Sequence, residues 1–192
     1  MINLVFFLEE PSARVLLEGL VPRILPMEHI ALRCVVFQGK QDLEKQLVRK
    51  LRSWCAPNTL FIVMRDQDSA ECKAVKQRLT ELCHQAGRPD ALVRVACREI
   101  ESWYLGDLAA VERALHLKGI ARKQQHKKFR DPDRLGSPSR ELRTLTGGCY
   151  QKVGGSRAIG PYLRLDGENR STSFGHFLRG VARVTNAALD GG

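Results

Sequence analysis

Asp66 and Asp68 stand one residue apart at the end of the most apolar run in the chain, Leu60 to Met64, within TLFIVMRDQDSAEC (59 to 72). Two carboxylates so close repel each other unless a cation sits between them or water solvates each one. More acids end other apolar runs: Glu9 and Glu10 follow INLVFFL (2 to 8), and Glu99 and Glu101 follow ALVRVAC (91 to 97). If these runs are parallel strands, their ends share one edge and the acids meet in one cleft. No His or Cys stands among them. Ligation by oxygen alone selects a hard cation, Mg²⁺ or Mn²⁺, which would draw the two aspartates together and keep both ionised.

The elements that must position these acids alternate. INLVFFL reads as a strand buried on both faces. Ser12 can cap the helix that follows, over ARVLLEGLVPRIL, which Pro22 must kink or divide. HIALRCVVF (29 to 37) reads as a second strand and DLEKQLVRKLRSW (42 to 54) as an amphipathic helix. TLFIVM is a third strand, SAECKAVKQRLTELCHQAG (69 to 87) a helix stopped by Gly87, and ALVRVAC a fourth strand. Tyr104, Leu108, Val111 and Leu115 mark one following helix. Four strand and helix pairs predict a mainly parallel sheet wrapped by helices.

Beyond residue 117 the pattern is looser, with helices expected at 137 to 147 and 173 to 189. We therefore expect an α/β core over 1–117 and a basic, loop-rich extension over 118–192 whose final helix packs on that core, a single domain overall. There is no internal repeat.

Charge is uneven. The net charge is +10; residues 1 to 100 carry 15 basic and 12 acidic side chains, and residues 101 to 192 carry 16 and 9. KGIARKQQHKKFR (118 to 130) holds six Lys or Arg and no acid: Lys118, Arg122, Lys123, Lys127, Lys128 and Arg130. Such a run suits a nucleic-acid backbone, DNA or RNA, although a charge run alone is more often a solvated loop. Only Phe129 interleaves it, so base stacking is not indicated. The longest apolar runs have five residues, far short of the roughly 20 that span a membrane. The first residues do not resemble a secretory signal. Six cysteines without a C-x-x-C pair point to reduced thiols, and the expected location is cytoplasmic.

FLEEPSA after the first strand and FIVMRDQD after the third resemble the Toprim domain of topoisomerases, primases and overcoming-lysogenization-type nucleases. That domain carries a Glu after its first strand, in a pattern like v-E-G-p-s-D, and a D-x-D after a later one. Carried over by position, Glu9 is that glutamate and Asp66 and Asp68 are the pair. D-Q-D-S-x-x-C-x-x-x-K, REIESWYLGD (98 to 107) and GPYLRLDGENRSTSFGHFL (160 to 178) resemble a family of small Toprim-like proteins often encoded beside an ATPase in bacterial defence loci. The resemblance implies a Toprim-like (Rossmann-like) fold, Mg²⁺- or Mn²⁺-dependent nuclease chemistry and an ATPase partner. Its alternative is a non-catalytic module that binds nucleic acid or the ATPase and keeps only a structural metal.

The chain departs from the motif in having Glu10 where Gly is common and Ala13 where an acid is expected. Glu10 is a candidate extra ligand, although strand alternation would point it away from Glu9. Glu101, beside Trp103, is the candidate fourth catalytic acid, with Asp107 further on; Glu99, Glu101 and Asp107 read equally as favourable charge at a helix start. Arg98 and Lys73 are candidates to offset phosphoryl charge. A strand-ending D-x-D also occurs in haloacid-dehalogenase-like phosphatases and in nucleotide-sugar glycosyltransferases, yet neither calls for Glu9. GGCYQKVGG (147 to 155) lacks the preceding strand and the G-K-[ST] end of a phosphate loop.

Overall fold

The computed structural model describes residues 1–191. Its centre is a four-stranded parallel sheet of β1 (Ile2–Leu8), β2 (Ile30–Val36), β3 (Thr59–Asp66) and β4 (Leu92–Ala96), in the order β2-β1-β3-β4. Helices return each strand to the same edge: α1 (Pro11–Leu20), α2 (Lys40–Arg52) and α3 (Cys72–Gln85). After β4 come α4 (Glu101–Leu105), α5 (Leu108–Ala114), α6 (Pro138–Leu145), α7 (Lys152–Ile159) and α8 (Thr172–Asp190).

Alternation along the strands sorts the core into two clusters. Val5 and Phe7 of β1 face Leu43, Leu47 and Leu51 of α2 and Val75, Leu79 and Leu82 of α3. Leu4, Phe6 and Leu8 face the opposite side, with Leu16 and Leu20 of α1, Trp103 and Tyr104 of α4, and Phe174, Phe177 and Val181 of α8. Ile120, Phe129, Leu142, Tyr150 and Ile159 join that second cluster, so residues on both sides of position 117 share one apolar layer. Among the described residues no helix is long and apolar enough to cross a membrane.

Several local expectations change. Pro11, not Ser12, begins α1; its N-cap is Glu10, and the Ser12 hydroxyl turns back to donate to Glu10 Oε1 at 2.7 Å. The α3 start moves to Cys72, because Glu71 caps it by accepting from the N–H groups of Lys73 and Ala74. The helix expected after β4 is two helices, since Asp107 accepts from Ala110 N and starts a new one at Leu108. GGCYQKVGG does not remain a loop: its second half opens α7. Gly155 there packs so closely on the Tyr150 ring that a Cβ would overlap it.

Candidate functional site

Three strand ends build the site. The β1 and β3 registers put Leu8 opposite Met64, so Glu9 emerges beside the last turn of β3; β3 and β4 pair Asp66 with Ala96. The carboxylate of Glu9 accepts the backbone N–H of Asp66 at 3.2 Å. Asp66 is the final residue of β3 and is 7% exposed; its Oδ1 accepts the N–H of Ile100 at 3.0 Å. Asp68 sits two residues on in a left-handed conformation, φ 56°. Arg98, beyond β4, is also left-handed at 62°, and the two segments are tied by Asp68 N–H to Arg98 O at 2.8 Å and by Arg98 Nη1 to Asp68 O at 3.3 Å. Non-glycine residues held at positive φ each cost on the order of 1–3 kcal/mol, and they persist where the surroundings over-determine them.

The acids divide between two groups of cations. Arg65, 6% exposed, donates to Glu44 at 2.6 Å and lies 3.9 Å from both Glu9 and Asp68, and Lys40 bridges to Asp68 at 2.7 Å. On the other side Lys152 of α7 pairs with Glu10 at 2.7 Å. Glu10 therefore does not turn out of the site, as strand alternation suggested, because β1 has ended at Leu8 and the chain is already bending into α1. Glu101 is fully buried. Tyr150 donates to its Oε1 at 2.9 Å, and its Oε2 has no partner among the described residues. The Tyr104 hydroxyl beside it is also buried without a partner among the described residues.

This crowding perturbs the acids. Burial, then the charge of Glu101, Glu10 and Glu9, lifts Asp66 well above the usual carboxylate range against the pull of Lys152. Burial and then Asp68 raise Glu9, opposed by the Asp66 N–H and Arg65. Burial raises Glu101, opposed by Lys152 and Tyr150.

The structure thus brings together Glu9, Glu10, Asp66, Asp68 and Glu101, with Arg98 at the rim. It takes Glu99 and Asp107 elsewhere: Glu99 accepts Ser139 N–H at 2.6 Å at the start of α6, and Asp107 caps α5 and accepts Arg164 N–H at 2.8 Å. Lys73 is exposed on the first turn of α3. Of the basic run, Lys118, Arg122, Lys127, Lys128 and Arg130 are exposed and Lys123 half-buried; Lys128 pairs with Glu141.

Sequence reasoning missed Arg65, which lies inside the quoted FIVMRDQD and would have read as an outward residue beside the pair. It also missed Lys152, whose approach depends on a helix that the glycines of 147 to 155 concealed. In kind the donors suit a hard divalent cation: all are carboxylate oxygens, and one of Glu101 lacks a partner. In arrangement, Arg65, Lys40 and Lys152 already act as counter-ions. Among the described residues no three His, Cys, Asp or Glu side chains are grouped to hold a metal ion.

Sheet order, parallel pairing and acids at the strand ends define an α/β protein with a four-stranded parallel sheet and a cluster of acids at its carboxyl edge. Residues 8–182 match the model of the family described as Domain of unknown function (DUF4276), and the chain belongs to that family. The C-terminal region of the Burkholderia pseudomallei OLD protein is similar in fold, with a TM-score of 0.57 and 16% identity over 96% of this chain and 98% of that one. No curated protein matches.

Proposed function

We propose that this chain is a metal-dependent nuclease of Toprim type that cleaves phosphodiester bonds with Mg²⁺ or Mn²⁺. The supporting observation is that Glu9, Asp66, Asp68 and Glu101, from three separate segments, all lie at the carboxyl edge of the sheet, with Glu9 bonded to the Asp66 N–H and with Arg98 tied to Asp68 and Lys152 close to Asp66. The likeness to the OLD protein region supports the fold that such a site needs.

In this reading Glu9, Asp66 and Asp68 would hold the ion, giving up the contacts of Asp68 with Lys40 and Arg65. When bound, the ion would polarise the scissile phosphate and lower the pKa of an attacking water. Glu9, raised by burial yet tethered to the Asp66 N–H, holds the proton taken from that water. Glu101 lies beneath as the fourth acid, its orientation fixed by Tyr150. Arg98 offsets charge on the phosphate from the rim, and Lys152 does so from α7. Lys118, Arg122, Lys123, Lys127, Lys128 and Arg130 hold the nucleic-acid backbone. The sequence resemblance adds an ATPase partner that delivers or licenses the substrate, and the cysteine pattern adds a cytoplasmic location.

One observation favours a second reading. The ion pairs Lys40–Asp68 and Lys152–Glu10 and the buried Arg65 already balance much of the acidic charge, as a non-catalytic binding module would require. Incubating the purified protein with labelled DNA and RNA in Mg²⁺, Mn²⁺ or EDTA, with and without a neighbouring ATPase, separates the two. Cleavage that EDTA stops supports the nuclease. Binding without cleavage under every condition gives the module.

A further inference from the structure

β4 is an edge strand, so one side of it has no strand neighbour. A cavity of about 440 Å³ runs along that side between α3 and α8, lined by Lys76 of α3, Val93, Arg94 and Val95 of β4, and Thr172 and His176 of α8. It reaches Cys97 beyond β4, next to Arg98 and so beside the Asp68 loop.

Arg94 lines this edge, and Arg179 and Arg183 stand near enough on α8 for their charges to reach it. Arg94 lies folded over α8, its Nε donating to His176 O at 3.0 Å and its Nη1 to Val93 O at 3.0 Å. Gly180 makes this possible, because a Cβ there would overlap the guanidinium. Arg179 and Arg183 stand exposed on α8, and their charges, after burial, press the ionisation of Arg94 downward. Among the described residues none of Lys76, Arg94, Arg179 and Arg183 forms an ion pair. The one carboxylate lining the cavity is Asp133. It is engaged by Ser171 Oγ at 2.6 Å, Ser173 N–H at 2.8 Å and Ser173 Oγ at 3.3 Å, which fixes it to the α8 start. Like charges gathered without counter-charge repel one another; water relieves this in part at the exposed arginines, and an anion would relieve it further.

We propose that this cleft between α3 and α8 is a docking surface for the phosphate backbone of nucleic acid, distinct from the 118 to 130 run. The inference rests on the nuclease reading for its choice of partner. The geometry suits a polyanion better than a single small anion. His176, Arg179 and Arg183 recur at three- and four-residue steps along one helix face, spanning about 10 Å at 1.5 Å per residue. That covers about three phosphates of one strand at 3.4 Å of rise each. The cavity opens toward Cys97 and Arg98 beside the Asp68 loop, while His176, Arg179 and Arg183 continue from the level of Arg94 along the sheet edge, so a strand lying on this face would lead toward Arg98 and the acid cluster. An edge strand guarded by arginines against pairing with other chains would show the same charge but no nucleic-acid affinity.

The test uses the full chain in EDTA, so that cleavage plays no part, and reads anisotropy of a labelled DNA duplex and of a labelled RNA single strand through a salt titration. With duplex DNA, Arg179→Ala with Arg183→Ala should make the salt slope shallower by about two contacts at roughly 0.9 each. Arg179→Lys with Arg183→Lys should retain it, and thermal melts of all forms should agree. The proposal is overturned if the alanine form binds as the wild type does, or if the lysine form loses as much as the alanine form. It is equally overturned if wild type binds neither nucleic acid, or if a poly-glutamate peptide binds this face while neither nucleic acid does. Cleavage in Mg²⁺ is measured separately: binding through α8 without cleavage leaves this surface standing and removes the nuclease.

Discussion

The carboxylate of Glu9 accepts the backbone N–H of Asp66 across 3.2 Å, joining the end of β1 to the end of β3. This bond spends one of the lone pairs of Glu9 on a neighbouring strand. It ties the glutamate to the start of the aspartate pair through one of its two oxygens. Glu10, by contrast, is bound to Lys152 and Ser12. Adjacent glutamates thus acquire different chemistry from the bend that follows β1.

Metal affinity is expected to depend on the aspartates. If Glu9, Asp66 and Asp68 share an ion, Mn²⁺ should raise the melting temperature of the wild type, because a ligand that binds only the native state stabilises it by mass action. Asp66→Asn combined with Asp68→Asn should abolish the rise in a thermal melt with and without EDTA. An equal rise in the double variant would place the ion elsewhere.

Stability should respond to pH through the buried acids. Asp66 has a folded pKa raised well above its ordinary value, and Glu9 and Glu101 shift the same way. A raised carboxyl favours the fold while protonated. That contribution is complete below about pH 4, the ordinary carboxylate range, and is lost as the pH climbs through the folded values. In EDTA, Asp66→Asn should therefore melt higher than wild type at neutral pH, by about 2–4 °C for each kcal/mol of relieved charge burial. The gap should close in acid. A variant that melts lower at neutral pH and equal in acid would mean that the ionised Asp66 stabilises the fold.

The sheet was legible because its signal is local. INLVFFL and TLFIVM are apolar runs of strand length with helical periodicity between them, and the acids follow directly. Convergence of Glu9, Asp66 and Asp68 followed from parallel topology alone. The rest depended on contacts between distant residues. Glu99 and Glu101 lie two residues apart on one short segment, yet one caps α6 and the other is sealed against Tyr150, and only the packing of 138 to 156 decides between them. The left-handed turns at Asp68 and Arg98 leave no glycine to announce them. Lys152 was hidden for a different reason: the glycine-rich GGCYQKVGG gave no helical pattern, whereas Gly155 lies inside α7 and packs closely on Tyr150.

Packing against Tyr150 yields a contrast between neighbours. Gly155→Ala would drive a methyl group into the Tyr150 ring, which is 1% exposed and holds Glu101. Overpacking of this kind costs typically about 1–3 kcal/mol. Gly154→Ala meets nothing within 4 Å, and alanine favours the helix by roughly 0.5–1 kcal/mol. Chemical denaturation should show the first variant less stable than wild type and the second equal or more stable. Equal loss at both positions would show that α7 requires glycine for its backbone alone.

The two glutamates after β1 give the sharpest check on the chemistry. Glu9 belongs to a different strand from the aspartates, so an enzyme needs it to handle the proton of the attacking water, while a structural ion could rest on the aspartates without it. Glu9→Gln keeps an oxygen to accept the Asp66 N–H and loses the base. We expect it to bind nucleic acid normally and to lose cleavage by about a hundredfold or more, the scale for removing a positioned general base. Glu10→Gln frees Lys152 from its ion pair, leaving that ammonium beside Asp66 and Glu101. Its cleavage should fall far less, since the general base remains and the freed cation still faces the phosphate. Single-turnover cleavage at saturating Mg²⁺ measures both. If Glu10→Gln is the inactive form and Glu9→Gln retains cleavage, the base is Glu10, and the Glu9 bond to Asp66 serves only to close the gap between β1 and β3.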